Sequence, residues 1–461
     1  MKEPAMKTTG ISSVSRRQFV AAAAAAATTG WTAVAGAAGP SRGGLPRVTR
    51  PRATSGDTAH EPNWDEKLTI TVGPKKADLV GSSDKVLQAA VDYVSRFGGG
   101  TVQVLPGTYT LRNSVYLRTG IRILGSGADS VLTKGASHSV ALADDSDWYD
   151  QEVTVASAKG LQVGDGVVLK TRNPHNGGSE VLKRTLVARK GNRFKLDRAL
   201  RKNYWLSGKP TLASLFPLIS GDHVHDIAIQ DITLDGNRKQ NANLNGNYGG
   251  CVFLQDCNRI HMTGVEARNY NGDGISWQIC HDVVVENCHS HDNADLGLHP
   301  GSGSQRPLMR NNRVERNTIG VFFCWGIKYG LAENNQITGN RSYGVSIGHC
   351  DTDNLIRLNT ITGSGKVGVL FRDDARGKDF WPNRNTLEKN QIVDSGDGDG
   401  VAVDVQGRTR DVTLDGNQIR ETRKPMERIG VRIGKQARDV KLQQNKIEGF
   451  QRDVVDLKAK P

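Results

Sequence analysis

The sequence predicts an all-β solenoid, a parallel β-helix, and three observations predict it. First, a glycine followed by alternating apolar residues returns about every two dozen positions, as Gly274-Ile275-Ser276-Trp277, Gly297-Leu298-His299-Pro300, Gly320-Val321-Phe322-Phe323, Gly344-Val345-Ser346-Ile347 and Gly368-Val369-Leu370-Phe371. Second, a polar row keeps the same register through Cys288, Asn312, Asn335, Asn359, Asn390, Asn417 and Asn445. Third, the strands are short, alternate with period two, and are bounded by Asn and Gly turns, while aromatics are only 6% of the chain.

Physics favours the solenoid over a sandwich or barrel. A single repeat has too little apolar surface to fold alone, so its Ile, Val, Leu and Phe must bury against the same positions one coil above and below. An Asn repeated at one turn position can bond the backbone of the neighbouring coil and satisfy turn groups that burial would otherwise leave unpaired. The row therefore reads as structural.

From the N terminus, residues 1 to 38 read as an export signal. Ser15-Arg16-Arg17-Gln18-Phe19-Val20 resembles the twin-arginine motif, and a weakly hydrophobic Ala-rich segment follows, ending in small residues at Ala33 to Ala38. Residues 39 to 60, rich in Gly, Pro, Arg and Thr, read as a flexible linker ahead of a folded body over 61 to 461. The net charge of +13 is partly carried by these two segments, leaving about +7 on the rest, so the folded body is only mildly basic. No apolar run is long enough for a membrane span, and the coils lack the basic, aromatic-interleaved patch that nucleic acid requires. The expected product is a monomer, periplasmic or secreted, reaching its compartment by the twin-arginine route.

Ser82 or Ser83 can cap a helix whose Val86, Leu87, Ala90, Val91 and Val94 share a face, and Gly98-Gly99-Gly100 stops it. Thr101 to Tyr109 then reads as strand, Pro-Gly turn and strand, with a third strand at Ile121 to Gly125. An amphipathic helix placed here would cover the open end of the first coil. This stretch, with its "PGTY" strand at Pro106 to Tyr109, resembles the start of the pectate-lyase-like superfamily, which implies a right-handed parallel β-helix with an N-terminal capping helix. Residues 144 to 210 break the coil pattern and read as a small inserted β subdomain, with coils resuming near Ile227. Six cysteines invite disulfides, but Cys257 and Cys280 fall at one coil position and Cys288 in the Asn row, so free stacked thiols are expected, with a Cys257 to Cys280 bridge as the exception.

Chemistry is sought where the coils carry residues that packing does not need. Counting from each glycine, positions one and three should face the core and positions two and four should face outward. Outward positions hold His299, Arg372 and, beyond the strand ends, the column Trp325, His349 and Asp373; Gly301 and Gly348 leave bare backbone beside the histidines. Gln305, Lys328, Tyr329, Asp374 and Arg376 follow in the adjoining loops, and Asp273 and Asp295 precede two strands. An aromatic platform with imidazoles, carboxylates and cations suits a sugar chain, and the mild basicity tilts the expectation toward an anionic polysaccharide. Both histidines are expected to face outward, so their replacement by Ala should leave the fold intact.

Asn271-Gly272-Asp273-Gly274-Ile275 resembles the "NTDG" strand of polygalacturonases, and Asp295 to Gly303 is similar to their next strand. That family's paired aspartates are here Asp295 followed by Leu296, and its "RIK" clamp has no counterpart, so the resemblance over about 79 to 457 is architectural. Three functions follow. The leading one is a glycoside hydrolase using two carboxylates among Asp273, Asp295 and Asp373, with Trp325 as platform. The second is a lyase or epimerase on uronate chains, with His299 or His349 as base, Arg372 or Lys328 neutralising the substrate carboxylate and Tyr329 as acid. The third is a non-catalytic glycan binder. No cofactor is required; β-helix lyases often hold calcium, for which Asp351, Asp353, Asp373 and Asp374 offer oxygen ligands.

Overall fold

Stacked aliphatic side chains form the axis of the protein. Ile275 lies beside Leu298, which lies beside Val321, Val345, Val369, Val403 and Val431 in successive strands, and all seven are buried. A second inward column runs beside it through Trp277, Phe323, Ile347, Phe371 and Val405. Fully burying one such side chain stabilises a fold by roughly 1.5 to 3 kcal/mol, so a one-residue slip of register would forfeit the whole column.

The structure is a computed structural model that describes residues 62 to 458 apart from 378, 399 and 424 to 426; the export segment expected over 1 to 38 and the linker over 39 to 60 lie outside the described residues. Among the described residues the coils build an eleven-stranded parallel sheet, from Val115–Tyr116 to Arg452–Asp456, and a 22-stranded sheet. The larger sheet is two parallel ladders side by side, joined where the long strands Ile121–Lys134 and His225–Asp235 run through both. A parallel β-helix is the result, and no helix of the described residues is long and apolar enough to cross a membrane.

Helix α1 (Asp84–Ser95) packs Leu87, Ala90, Val91 and Val94 against the first coil, as its pattern predicts, while Val86 is only half-buried and Ser83 makes no side-chain cap bond. Gly99 stops it with φ +97°, and a Cβ there would lie 2.1 Å from the Gly120 carbonyl oxygen. The segment that breaks the coil pattern forms a six-stranded antiparallel sheet from Ser139–Ala141 to Thr211–Ala213, with its own core of Val153, Leu169, Leu186, Phe194, Leu196 and Tyr204. Coils resume with Ile219–Asp222, earlier than Ile227.

The Asn row is a continuous chain of bonds. The backbone N–H of Asn312 donates to Asn335 Oδ1 (3.0 Å), that of Asn335 to Asn359 (2.9 Å), that of Asn359 to Asn390 (3.0 Å) and that of Asn390 to Asn417 (2.9 Å), while each side-chain N–H₂ bonds a carbonyl of the coil before it. Two further ladders, Asn293 to Asn317 to Asn340 and Asn354 to Asn385, escaped the sequence pattern because they hold only three and two members. Cys257 and Cys280 are free thiols stacked one coil apart, the Cys257 N–H lying 3.4 Å from Cys280 Sγ. Replacing Asn359 with Ala strands a buried N–H and a buried carbonyl, so it should cost about 2 to 4 kcal/mol in denaturant unfolding, whereas Ala at the neighbouring exposed Gln336 should change stability by less than about 0.5 kcal/mol.

Candidate functional site

Two strands of the eleven-stranded sheet bring Asp273 and His299 together. Asp273 opens Asp273–Gln278 and His299 sits in Leu296–Gly301, one coil on, where its side chain and that of Ser276 are register neighbours. His299 Nδ1 lies 2.7 Å from Asp273 Oδ2, and Asp273 Oδ1 accepts the Leu296 N–H at 3.1 Å. Burial raises the Asp273 pKa, opposed by the bond to His299. Ser276 Oγ stands 3.3 Å from the same ring nitrogen and donates to the Gly246 carbonyl at 2.7 Å, so residues 241 to 249 roof the pair. Gly246 comes so close that a Cβ would collide with the Asp273 carboxylate. Asp273 is 0% and His299 3% exposed, and His299 Nε2 and Gln278 Oε1 are buried without a hydrogen bond among the described residues.

Above the pair, Phe322 meets the His299 ring edge-on at 5.4 Å, and the Arg372 guanidinium covers Phe322 at 4.4 Å from its centroid. Arg372 reaches back two coils to do so, donating to Ser346 Oγ (2.7 Å) and the Phe323 carbonyl (3.0 Å). Behind it, the buried Asp351 accepts N–H groups from Gly326, Ile327 and Gly348 at 2.9, 2.9 and 2.7 Å. Burial pushes its pKa up to about 6 despite the Arg372 charge and those three bonds.

At the strand ends the surface opens. Trp325, 41% exposed, faces the His349 ring at 5.1 Å, and His349 meets Phe380 at 5.3 Å. Arg376 lies over Trp325 at 4.6 Å, flanked by Asp374, and its backbone N–H donates to His349 Nδ1 at 2.8 Å. That bond places the imidazole proton on Nε2. Burial, together with the Arg376 and Arg372 charges, lowers the His349 pKa against the pull of Asp374.

The structure thus brings together Trp325, His349, Arg372 and Asp374, and separately Asp273 with His299. It corrects several expectations. The outward positions are covered: Ser276, Gln278, His299 and Ser346 are all buried, because the 241 to 249 segment and Arg372 lie over them. The bare backbone at Gly301 and Gly348 is filled by the Gln278 amide and the Arg372 guanidinium, and does not leave room for a ligand. Gln305 and Tyr329 are buried in the turns, and Lys328 is half-buried between Gln305 and Thr352, so none of them projects into the open cluster. Asp373 is remote from the other two carboxylates: with coils about 4.8 Å apart, it stands at least about 14 Å from Asp295 and about 19 Å from Asp273, beyond the roughly 5 to 9.5 Å of a glycosidase pair, whereas Asp273 and Asp295 belong to adjacent coils and the charge of Asp295 helps to raise the Asp273 pKa. Asp295 accepts from Asn243 at 3.0 Å and Asp373 from the Trp381 indole at 3.2 Å.

The four aspartates offered to calcium do not fit a shared ion: Asp351 is turned to three N–H groups, Asp353 is clamped by Arg384 at 2.8 and 2.9 Å, Asp373 holds Trp381, and Asp374 lies between Arg372 and Arg376. Among the described residues the groups with metal-ligating reach are Glu266, His289 and His291, and Asp222, His223 and Asp256. In the first, Glu266 already bonds His291 (3.0 Å) and Arg268 (3.1 Å). Phe380 and Trp381 were missed; the signal was the Asn359 to Asn390 interval of 31 residues against 24 for Asn335 to Asn359, which marks an enlarged coil.

The sequence matches the family described as right handed beta helix region over residues 230 to 383. No curated protein matches it. Among solved structures, the surface adhesin PfbA of Streptococcus pneumoniae is 12% identical with a TM-score of 0.52, covering 85% of this chain and 95% of that one. The Dettilon tailspike protein is 10% identical with a TM-score of 0.50, over 84% of this chain and 63% of that one. The A-module of an Azotobacter vinelandii mannuronan C-5 epimerase is 15% identical with a TM-score of 0.49, over 82% and 95%. At such identities the likeness is one of fold, and the chain is a right-handed parallel β-helix.

Proposed function

We propose that this is an exported protein that acts on an acidic polysaccharide lying across the strand ends near Trp325, and that its chemistry is proton abstraction beside a uronate carboxylate, as in a lyase or an epimerase. The observation that carries the reading is the Asp273 and His299 pair. A carboxylate 2.7 Å from Nδ1 holds the proton there and leaves the Nε2 lone pair, which bonds nothing among the described residues, as the base. Removing a proton next to a carboxylate also needs a cation to hold the developing charge, and Arg372, one aromatic ring away, supplies it. His349, with its proton on Nε2, donates a hydrogen bond to a sugar oxygen, and Trp325 and Phe380 stack on ring faces. The pair is roofed by 241 to 249, so the substrate reaches Nε2 only when that segment lifts. Two-carboxylate hydrolysis is left with the Asp273 and Asp295 pair, and there both Asp273 oxygens are already engaged, by His299 and by the Leu296 N–H.

The full burial of Asp273 favours a second reading, in which the pair is structural and the Trp325 surface binds glycan without chemistry. The two separate on a panel of polyuronates, following ultraviolet absorbance, reducing ends and exchange of the C5 proton in heavy water. Absorbance or exchange that disappears in His299→Gln, with polymer binding retained, supports proton abstraction. Binding with none of the three signals establishes the second reading, and reducing ends without absorbance would restore the hydrolase.

Further outcomes follow from the geometry. Trp325→Ala should weaken polymer binding about tenfold. His299→Ala leaves a buried carboxylate without its partner, contrary to the expectation of an intact fold, and should cost about 3 to 5 kcal/mol in denaturant unfolding. His349 has a pKa below that of an unfolded histidine, so its contribution to stability is present above about pH 6.5 and is lost as pH falls through the folded value. The fall in melting temperature between pH 7 and 5 should therefore be smaller in His349→Gln than in the wild type.

A further inference from the structure

A cavity of about 660 Å³ lies between the inserted sheet and the first coils of the eleven-stranded sheet, within the range of small-ligand sites. Its floor is the outer face of that sheet, where Tyr116, Ser220 and Phe253 are successive register partners on the line that continues to Ser276 and His299. Its roof is Lys183 and neighbours in Ser179–Lys190, and Tyr248 of the 241 to 249 segment stands at its edge. Beyond Tyr116 the coils end, and Gln88 and Asp92 of α1 line the far wall.

Lys183 is the feature that packing does not explain. Its ammonium lies over the Phe253 ring, 3.6 Å from the centroid, and makes no hydrogen bond or ion pair among the described residues. Most charges around it are already matched: Arg198 with Asp197 at 3.4 Å, Arg118 with Asp92 at 3.0 Å, and Arg184 with the carbonyls of Lys183, Arg198 and Ala199; Asp222, whose charge does reach Lys183, bonds His223 at 2.7 Å and forms no ion pair with the lysine. Lys134, the other lysine set over a phenylalanine in this region, is satisfied by the Ser214 carbonyl at 3.0 Å. A cation held in a cavity without a partner is costly until an anion reaches it. Burial accordingly lowers the Lys183 pKa to about 7, against the pull of Asp222 and with a smaller push from Arg198.

We propose that this cavity is a saccharide site at the end of the groove, which takes the terminal residue of an acidic polysaccharide by pairing Lys183 with its uronate carboxylate. The inference rests on the acidic-polysaccharide reading above and adds direction to it. A chain lying along the coils meets α1 and the insert at this end and goes no further, so the protein engages chain ends from the N-terminal side. The tyrosines offer faces to the sugar ring, and the carboxylate restores the lysine's charge.

The test is calorimetric titration of the full chain with digalacturonate and with dimannuronate, using cellobiose as the neutral control, on wild type, Lys183→Met and Lys183→Arg between pH 6 and 9. The expected result is that a uronate disaccharide binds at least about tenfold more tightly than cellobiose. Wild-type affinity should fall toward about tenfold per pH unit above 7 as Lys183 loses its proton, while Lys183→Arg stays flat with pH because its guanidinium remains charged. Lys183→Met should lose the uronate preference; if that variant fails to fold, the pH profile of Lys183→Arg against wild type decides. Equal binding of cellobiose, or a Lys183→Met variant that binds uronates as wild type does, overturns the proposal. Polymer bound at Trp325 with no disaccharide binding retires the cavity alone, and disaccharide bound with no polymer interaction at Trp325 retires the reading of the open cluster alone.

Discussion

The hydrogen bonds that pass from each asparagine to the next coil are what the rest of the molecule depends on. In the Asn312 to Asn417 row a side-chain oxygen accepts from the coil before it while the amide nitrogen donates both to a carbonyl of that coil and to the asparagine oxygen of the coil after it, so three layers are locked at one point. A parallel coil offers few other ways to satisfy turn groups that lie out of water's reach, and an unsatisfied one costs as much as several good contacts return. The ladders therefore set the register, and register decides which side chains form columns.

Columns are a means of placing chemistry. Once Ser276, His299, Phe322 and Ser346 occupy one row, a side chain that leans along the axis meets its neighbours in sequence, and Arg372 does so across two coils. The Asp273 and His299 pair shows the other consequence of stacking. Groups that face away from the core are still removed from water if a single turn folds over them, and the low polarity beneath that turn raises the Asp273 pKa.

The 241 to 249 segment stands between the two regions that carry unmatched polar groups. On one side the Gly246 carbonyl holds Ser276 over the buried pair; on the other Tyr248 lines the cavity that contains Lys183. The open cluster of Trp325, His349 and Phe380 lies farther along the same edge, where the coil enlarged around residues 372 to 382 brings in Phe380 and Trp381. A sugar chain following the coils would meet these features in one line.

The sequence by itself determined what repeats: the strand period, the inward columns, the main Asn ladder, the capping helix and the position of the insert, because each is a local pattern multiplied by stacking. It also singled out Trp325 and His349 as neighbours, since both follow strands at the same offset. Tertiary structure alone decided what is covered. Whether His299 sees solvent depends on Gly246, more than fifty positions away, and whether Gly348 is open depends on the rotamer of Arg372; neither is written in a periodicity. Lys183 gave no signal in the chain, because its isolation arises only when the insert folds back over Phe253 and every nearby charge has found another partner. Repetition is legible in one dimension, whereas burial is a property of what arrives from elsewhere.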